Sequence, residues 1–239
     1  MSSPPWVLCD TSIIPGSSAP LNLLRQGDAY SIQVGRAELM TNLDRGSEQA
    51  LATIPCERLA GRAAPRILIG GLGMGFTLRA ALSALGPDAK IVVAELIPAV
   101  VAWARGPLAH LFGDSLDDSR VEIVETDVNR LIQSGPERFD AILLDVDNGP
   151  SGMTRRENDR LYDTWGLKRA HYALRSDGIL AVWSGKPDRR FKARLRLHGF
   201  AVDEFRIRAN DGADGPRHVL WMATRPVAPL RFASLGSRP

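Results

Sequence analysis

Cysteine is nearly missing from this chain of 239 residues; only Cys9 and Cys56 occur. They make no CxxC pair and no metal-ligand spacing, which excludes a disulfide-built fold and a cysteine zinc site. One bridge between them stays open, but two free thiols in a reducing, cytoplasmic compartment are expected. The four histidines, His110, His171, His198 and His218, are dispersed and give no zinc pattern, so no metal is expected. Long apolar runs are also missing. The stretch from Ile91 to Trp103 is broken by Glu95 and Pro98, too short and too polar to span a bilayer. The start, Met1-Ser-Ser-Pro-Pro-Trp, has neither a basic region nor a long apolar core, so a secretory leader is not expected. Charge of one sign is scarce too: 30 Lys and Arg stand against 27 Asp and Glu, a net +3. The arginines are scattered, which reads as a solvated face and predicts no nucleic-acid partner. The small basic excess hints only at an anionic acceptor.

What the chain has is enough apolar residue, 44%, for one sizeable core. Its most informative run is Arg66-Ile-Leu-Ile-Gly-Gly-Leu-Gly-Met-Gly75. An apolar strand feeding a glycine-rich turn at a helix start is a place for an adenosine-containing cofactor. A second strand, Lys90-Ile-Val-Val-Ala-Glu95, ends in an acid 20 residues after Gly75, where a carboxylate can accept from ribose hydroxyls. The glycine spacing is not a strict GxGxxG, and no GK[ST] follows, which excludes a P-loop.

The rest of the chain alternates. Residues 1 to about 26 are rich in Pro, Ser and Gly and are expected on the surface or partly disordered. Residues 29–34 and 36–41 read as a β-hairpin, and 46–60 as a helix with Ser47 as a candidate cap, bent or shortened by Pro55. Strands are predicted at 66–70, 90–95, 121–124, 139–145 and 178–183. Helices are predicted near 75–86, 97–104, 127–133, 157–175 and 187–197. Near-continuous apolar strands between helices predict a mostly parallel sheet covered on both faces. Residues 201–208 and 218–224 read as a terminal antiparallel hairpin, and 226–239 as a tail. The organisation is thus an N-terminal extension, 1–62, and a Rossmann-like domain, 63–225, of the seven-stranded transferase plan.

In such sheets ligands bind beyond the carboxyl ends of the strands. Gly70, Gly71, Gly73 and Gly75, then Glu95, Asp127 with Val128, and Asp145 all fall there. Asp127 accepts from an adenine amino group in this reading, with Val128 offering its N–H; the competing reading is a helix N-cap. Asp145 leaves an apolar strand into Val146-Asp147-Asn148-Gly149-Pro150, a position from which it can take a proton or face a cationic centre. Asp147 and Asn148 either orient an acceptor or only shape the turn. Tyr162 and Trp165 follow as core aromatics or, less simply, pocket lining.

At these residues the chain resembles the spermidine synthase-like family of class I S-adenosylmethionine-dependent transferases, over about 29–224. Gly70–Gly75 stands where that family has GGGDGG, Glu95 at its ribose acid, Asp127 at its adenine-side acid, and Asp145-Val-Asp-Asn148 at its D-[ST]-[ST]-D-P loop. The resemblance implies that Asp145 is the general base, with Asn148 beside it in the catalytic loop, and that the protein is a homodimer. It departs from the family at Gly73, which replaces the acid that holds the cofactor's amino group, and at Asn148, which replaces the second loop acid. The segment Leu39 to Ala50 lacks the family's tyrosine and histidine. These losses place methyl transfer from S-adenosyl-L-methionine to a small-molecule acceptor first. Aminopropyl transfer from decarboxylated S-adenosylmethionine to a polyamine is the runner-up. A nucleoside-binding protein without catalysis is a third reading.

Overall fold

The computed structural model describes residues 4–146, 149–150, 158–209 and 216–227. Strands β1 (Val7–Ile13), β2 (Pro20–Gln26), β3 (Ala29–Val34) and β4 (Ala37–Thr41) form an antiparallel sheet in chain order. A second sheet holds β5 (Arg66–Gly70), β6 (Lys90–Glu95), β7 (Val121–Glu125), β8 (Phe139–Leu144), β9 (Leu174–Ser184), β10 (Ala201–Arg208) and β11 (Arg217–Thr224). Its order is β10-β11-β9-β8-β5-β6-β7. The helices are α1 (Gly46–Arg58), α2 (Phe76–Ala84), α3 (Pro98–Arg105), α4 (Ala109–Phe112), α5 (Val128–Ile132), α6 (Asp159–Tyr162), α7 (Thr164–Ala173) and α8 (Arg189–Leu197). This is the Rossmann-like class I architecture with an N-terminal β element. Among the described residues no helix is long and apolar enough to cross a membrane.

Alternation along the central strands explains the two layers. Ile67, Ile69, Ala141 and Leu143 face one core, shared with Leu51 of α1, Leu78 of α2, Trp103 of α3, and Leu21 and Leu23 of the small sheet. Leu68, Ile142 and Leu144 face the other, with Val128 of α5, Leu167 of α7 and Phe191 of α8. Strands buried on both faces are the expected consequence of helical cover on each side. The small sheet is tied to the large domain by Trp103, whose Nε1–H donates to Asp10 at 2.6 Å.

Several expectations need correcting. Residues 7–13 and 20–26 form β1 and β2; β1 lies on the surface as expected, but as paired strand rather than loose chain. The Leu21/Leu23 alternation, with both side chains buried, outweighs the surrounding Pro and Ser. Pro55 lies inside α1 without ending it. Ser47 is not a cap; it sits in the first turn of α1 with its hydroxyl buried. The helix expected at 157–175 divides at Asp163, whose carboxylate accepts from the Gly166 N–H at 2.7 Å and so starts α7 afresh. The terminal pair is antiparallel, but β10 runs with the first five strands, and β11 alone is reversed, inserted between β10 and β9. Most of the expected tail, 228–239, lies outside the described residues.

The chain runs outward from β5 through β6 to β7, then returns to β8 on the other side of β5. The crevice between the carboxyl ends of β5 and β8 is therefore the point where the winding reverses, and loops leaving both strands flank it.

Below that crevice Asp140 of β8 is 1% exposed, yet ionic. It meets Arg62 at 2.6 Å and Arg175 at 2.9 Å and accepts the Arg66 N–H at 2.8 Å. Asp140→Asn should lower the unfolding free energy by about 1.5–3 kcal/mol, the range for hydrogen bonds to charged groups. A urea titration with an unchanged midpoint would refute this.

Candidate active site

Hydrogen bonds to both neighbouring strands hold the glycine loop. The Gly71 N–H donates to Ala94 O at 2.9 Å, and the Asp145 N–H donates to Gly70 O at 3.0 Å. Gly71 has φ +91°, and a Cβ there would stand 2.5 Å from the Asp145 carbonyl oxygen. Only glycine permits both the left-handed backbone and this approach. Gly75, at φ +80°, opens α2 with the ring of Phe112 lying where a side chain would go.

Glu95 is 6% exposed at the tip of β6. One carboxylate oxygen accepts from the Leu72 N–H and the other from the Ile97 N–H, each at 2.8 Å. Burial pushes its carboxyl above the ordinary range, and the loop N–H groups oppose that shift. Backbone N–H groups of Leu96 and Gly73 also face this carboxylate, so it is held on several sides at the mouth of the cavity. A cavity beside it is lined by Gly71, Gly73, Glu95, Ile97, Asp127 and Asp145, among others. Asp127 caps α5, accepting the Asn129 N–H at 2.9 Å, and still borders this cavity. Acceptors for hydroxyls, apolar walls from Ile97 and Val100, and a loop free of side chains at Gly71 and Gly73 together fit a nucleoside.

Asp145 borders the same cavity from the other side. Thr77 of α2 donates its hydroxyl to Asp145 Oδ2 at 2.9 Å. Beyond Asp145 the hollow continues past Met40, Gly73, Glu48 and Trp183, and opens into a second cavity lined by Glu38, Asp44, Glu48, Trp183, Lys186 and His218. Leu39 and Met40 line all three parts, so the cavities adjoin one another in a row from Glu95 to His218.

Two carboxyls meet in the neck of that cleft. Burial and the charge of Asp145 push Glu48 up to about 7, against a lowering by the Ser47 hydroxyl. Burial pushes Asp145 up to about 6, opposed by Thr77. Like charges close together in a poorly hydrated place cannot both ionise easily, so the pair titrates as a unit.

The structure gathers Gly71, Gly73, Glu95, Asp127, Val128 and Asp145 around one cavity. Gly70 is packed under it, against Val128, Leu144 and Val146, and Gly75 serves the helix start. Asp147 and Asn148 lie outside the described residues. Tyr162 is buried edge-on against Phe191, its hydroxyl donating to Val146 O at 3.3 Å, while Trp165 is exposed under Lys168. Neither lines the cleft. Sequence reasoning missed Glu38, Asp44, Glu48, Trp183 and His218. The only signal was acid density between the hairpin and α1. The second cavity also carries more acid than base, contrary to the hint of an anionic acceptor.

No family profile matches the chain. It is 30% identical over 150 residues to a polyamine aminopropyltransferase of Mycobacterium tuberculosis, covering 59% of this chain and 28% of that one. It is 32% identical over 131 residues to one of Pseudomonas syringae, covering 54% of this chain and 43% of that one. The chain thus spans less than half the length of these curated relatives. A spermidine synthase structure from Thermotoga maritima superposes with a TM-score of 0.72 at 20% identity, covering 93% of this chain and 74% of that one. A spermidine synthase in complex with the transition state analogue AdoDATO gives 0.74 at 20% identity, with 93% and 75% covered.

The raised carboxyls carry a signed prediction. A carboxyl whose folded pKa is raised stabilises the fold fully below its unfolded value and loses that contribution as pH rises through the folded value. Glu48→Gln should therefore gain stability relative to the parent as pH rises from about 4.5 to about 7. His171 and His198, held below the ordinary range mainly by burial, add an opposite slope common to both proteins. Parallel denaturation curves at every pH would refute the assignment.

Proposed function

We propose that the chain is a member of the spermidine synthase-like family of class I S-adenosylmethionine-dependent transferases and that it moves an aminopropyl group from decarboxylated S-adenosylmethionine to an amine. The observation that carries this reading is the charge of the cleft. Among the described residues no lysine or arginine lines the cavity of Glu95, Asp127 and Asp145. Among the described residues an intact methionine tail would bring a carboxylate there with no cation to meet it, whereas the decarboxylated donor brings only cationic groups. The second cavity offers Glu38, Asp44 and Glu48 to a cationic acceptor, against a single Lys186. The names of the curated relatives support the same choice over methyl transfer.

Glu95 would hold the ribose hydroxyls and Asp127 the adenine side. The bound donor supplies a carbon made electrophilic by a sulfonium sulfur. Asp145, fixed by Thr77 at the junction of the two cavities, would take a proton from the amine and balance cationic charge there. Its raised carboxyl suits a base acting near neutral pH. Alignment of amine and donor along one narrow neck would supply much of the remaining rate. Methyl transfer stays as the second reading because Gly73 leaves the amino group, which both donors carry, without the family acid and so favours neither; Met40 Sδ lies 3.1 Å from where a Cβ would stand.

Calorimetry with S-adenosylmethionine, its decarboxylated form, S-adenosylhomocysteine and methylthioadenosine tests the reading. Tighter binding of the decarboxylated donor and methylthioadenosine is expected; the reverse order would return methyl transfer to first place. Glu95→Ala should weaken methylthioadenosine by roughly 10- to 100-fold, as loss of a charged acceptor implies. Asp145→Asn should cut turnover by about 10²–10⁴, the usual weight of a general base, while donor affinity survives. An Asn variant turning over normally would remove Asp145 from the chemistry.

A further inference from the structure

We propose that Glu48, Ser47 and His218 form a proton path leading from the neck of the cleft to its solvent-facing end. Its use in catalysis rests on the amine-acceptor reading above; its existence does not. Ser47 is fully buried, and its hydroxyl oxygen has three polar neighbours. Glu48 Oε2 lies at 2.6 Å, His218 Nδ1 at 2.8 Å, and the Trp183 Nε1–H donates to it at 3.0 Å. Trp183 can only donate, so it fixes one of the hydroxyl's acceptor positions. Its ring is also set edge-on to His218, with centroids 4.6 Å apart.

Two hydrogen-bond patterns satisfy every atom of this cluster. With Glu48 protonated, Glu48 donates to Ser47, and Ser47 donates to His218 Nδ1, leaving the imidazole proton on Nε2. With Glu48 ionised, Ser47 donates to Glu48, and His218 donates to Ser47 from Nδ1. Passing from the first pattern to the second moves one proton from Glu48 to Ser47 and one from Ser47 to Nδ1, while one leaves Nε2 for water. The balance is one proton delivered from the neck to solvent and an uncharged imidazole at both ends. A neutral imidazole is what the site favours, since burial holds His218 below its ordinary value. The groups lining the cavities beside the path are Asp145, Asp44, Glu38 and Lys186. An ammonium acceptor must shed a proton before it can attack. In this arrangement that proton need not remain shared between Glu48 and Asp145.

The test needs no ligand. Nitrogen-15 NMR of the histidine-labelled protein, titrated from pH 6 to 9 with His218→Gln for assignment, reads the tautomer directly. His218 should change from the Nε2–H to the Nδ1–H form across the Glu48 midpoint, and Glu48→Gln should abolish the change. A single tautomer throughout, or a change that survives Glu48→Gln, overturns the path. With decarboxylated donor and a diamine, Ser47→Ala should lower kcat on the order of 10-fold, a fraction of full general-base weight, and move its pH profile without altering donor affinity. A tautomer change in a protein that turns over no amine would retire the transferase reading and leave the path standing. Turnover with an unmoved pH profile in Ser47→Ala would keep the transferase reading and overturn the path's use in catalysis.

Discussion

The hydrogen bond from the Asp145 N–H to Gly70 O, 3.0 Å long, joins the two loops on which the site depends. It extends the β5–β8 pairing one step past the sheet, at the point where the strand order reverses. Because the loops are stitched there, the backbone of Gly71 runs against the Asp145 carbonyl with no room for a side chain. The same approach puts the Asp145 carboxyl at the cavity beside Glu95 and within reach of Thr77 at the start of α2. Separating these strands would disperse the whole constellation.

A second constraint is electrostatic. Glu95 tolerates burial because N–H groups of Leu72 and Ile97 solvate it. Glu48 and Asp145 have fewer such donors, so burial raises both carboxyls, and the charge of Asp145 raises Glu48 further. The two kinds of acid therefore suit different tasks. The first suits a fixed hydrogen-bond acceptor; the second, with both carboxyls raised, suits proton exchange in the proposed reaction. A cleft lined in this way favours cations along its length, in keeping with a cationic donor and an amine.

Much of this was legible in the chain. The apolar strands, the glycine run and the acid ending β6 identified the fold, because each reflects a local rule: burial on both faces, positive φ at a turn, a charged residue at a strand tip. The same local rules misread the N-terminus, where Pro and Ser masked the β1–β2 pair, and Ser47, whose position near a helix start resembled a cap.

Sequence by itself determined the alternation of strands and helices and the edge at which a nucleoside would lie, since periodicity and turn chemistry act over neighbouring residues. Tertiary structure alone decided what stands opposite Asp145. Glu48, Ser47, Trp183 and His218 come from α1, the end of β9 and the start of β11, separated by up to 171 residues. No spacing rule links them. They meet because β11 inserts beside β9 and α1 packs across that end of the sheet, and the hydrogen bonds among them exist only in that arrangement.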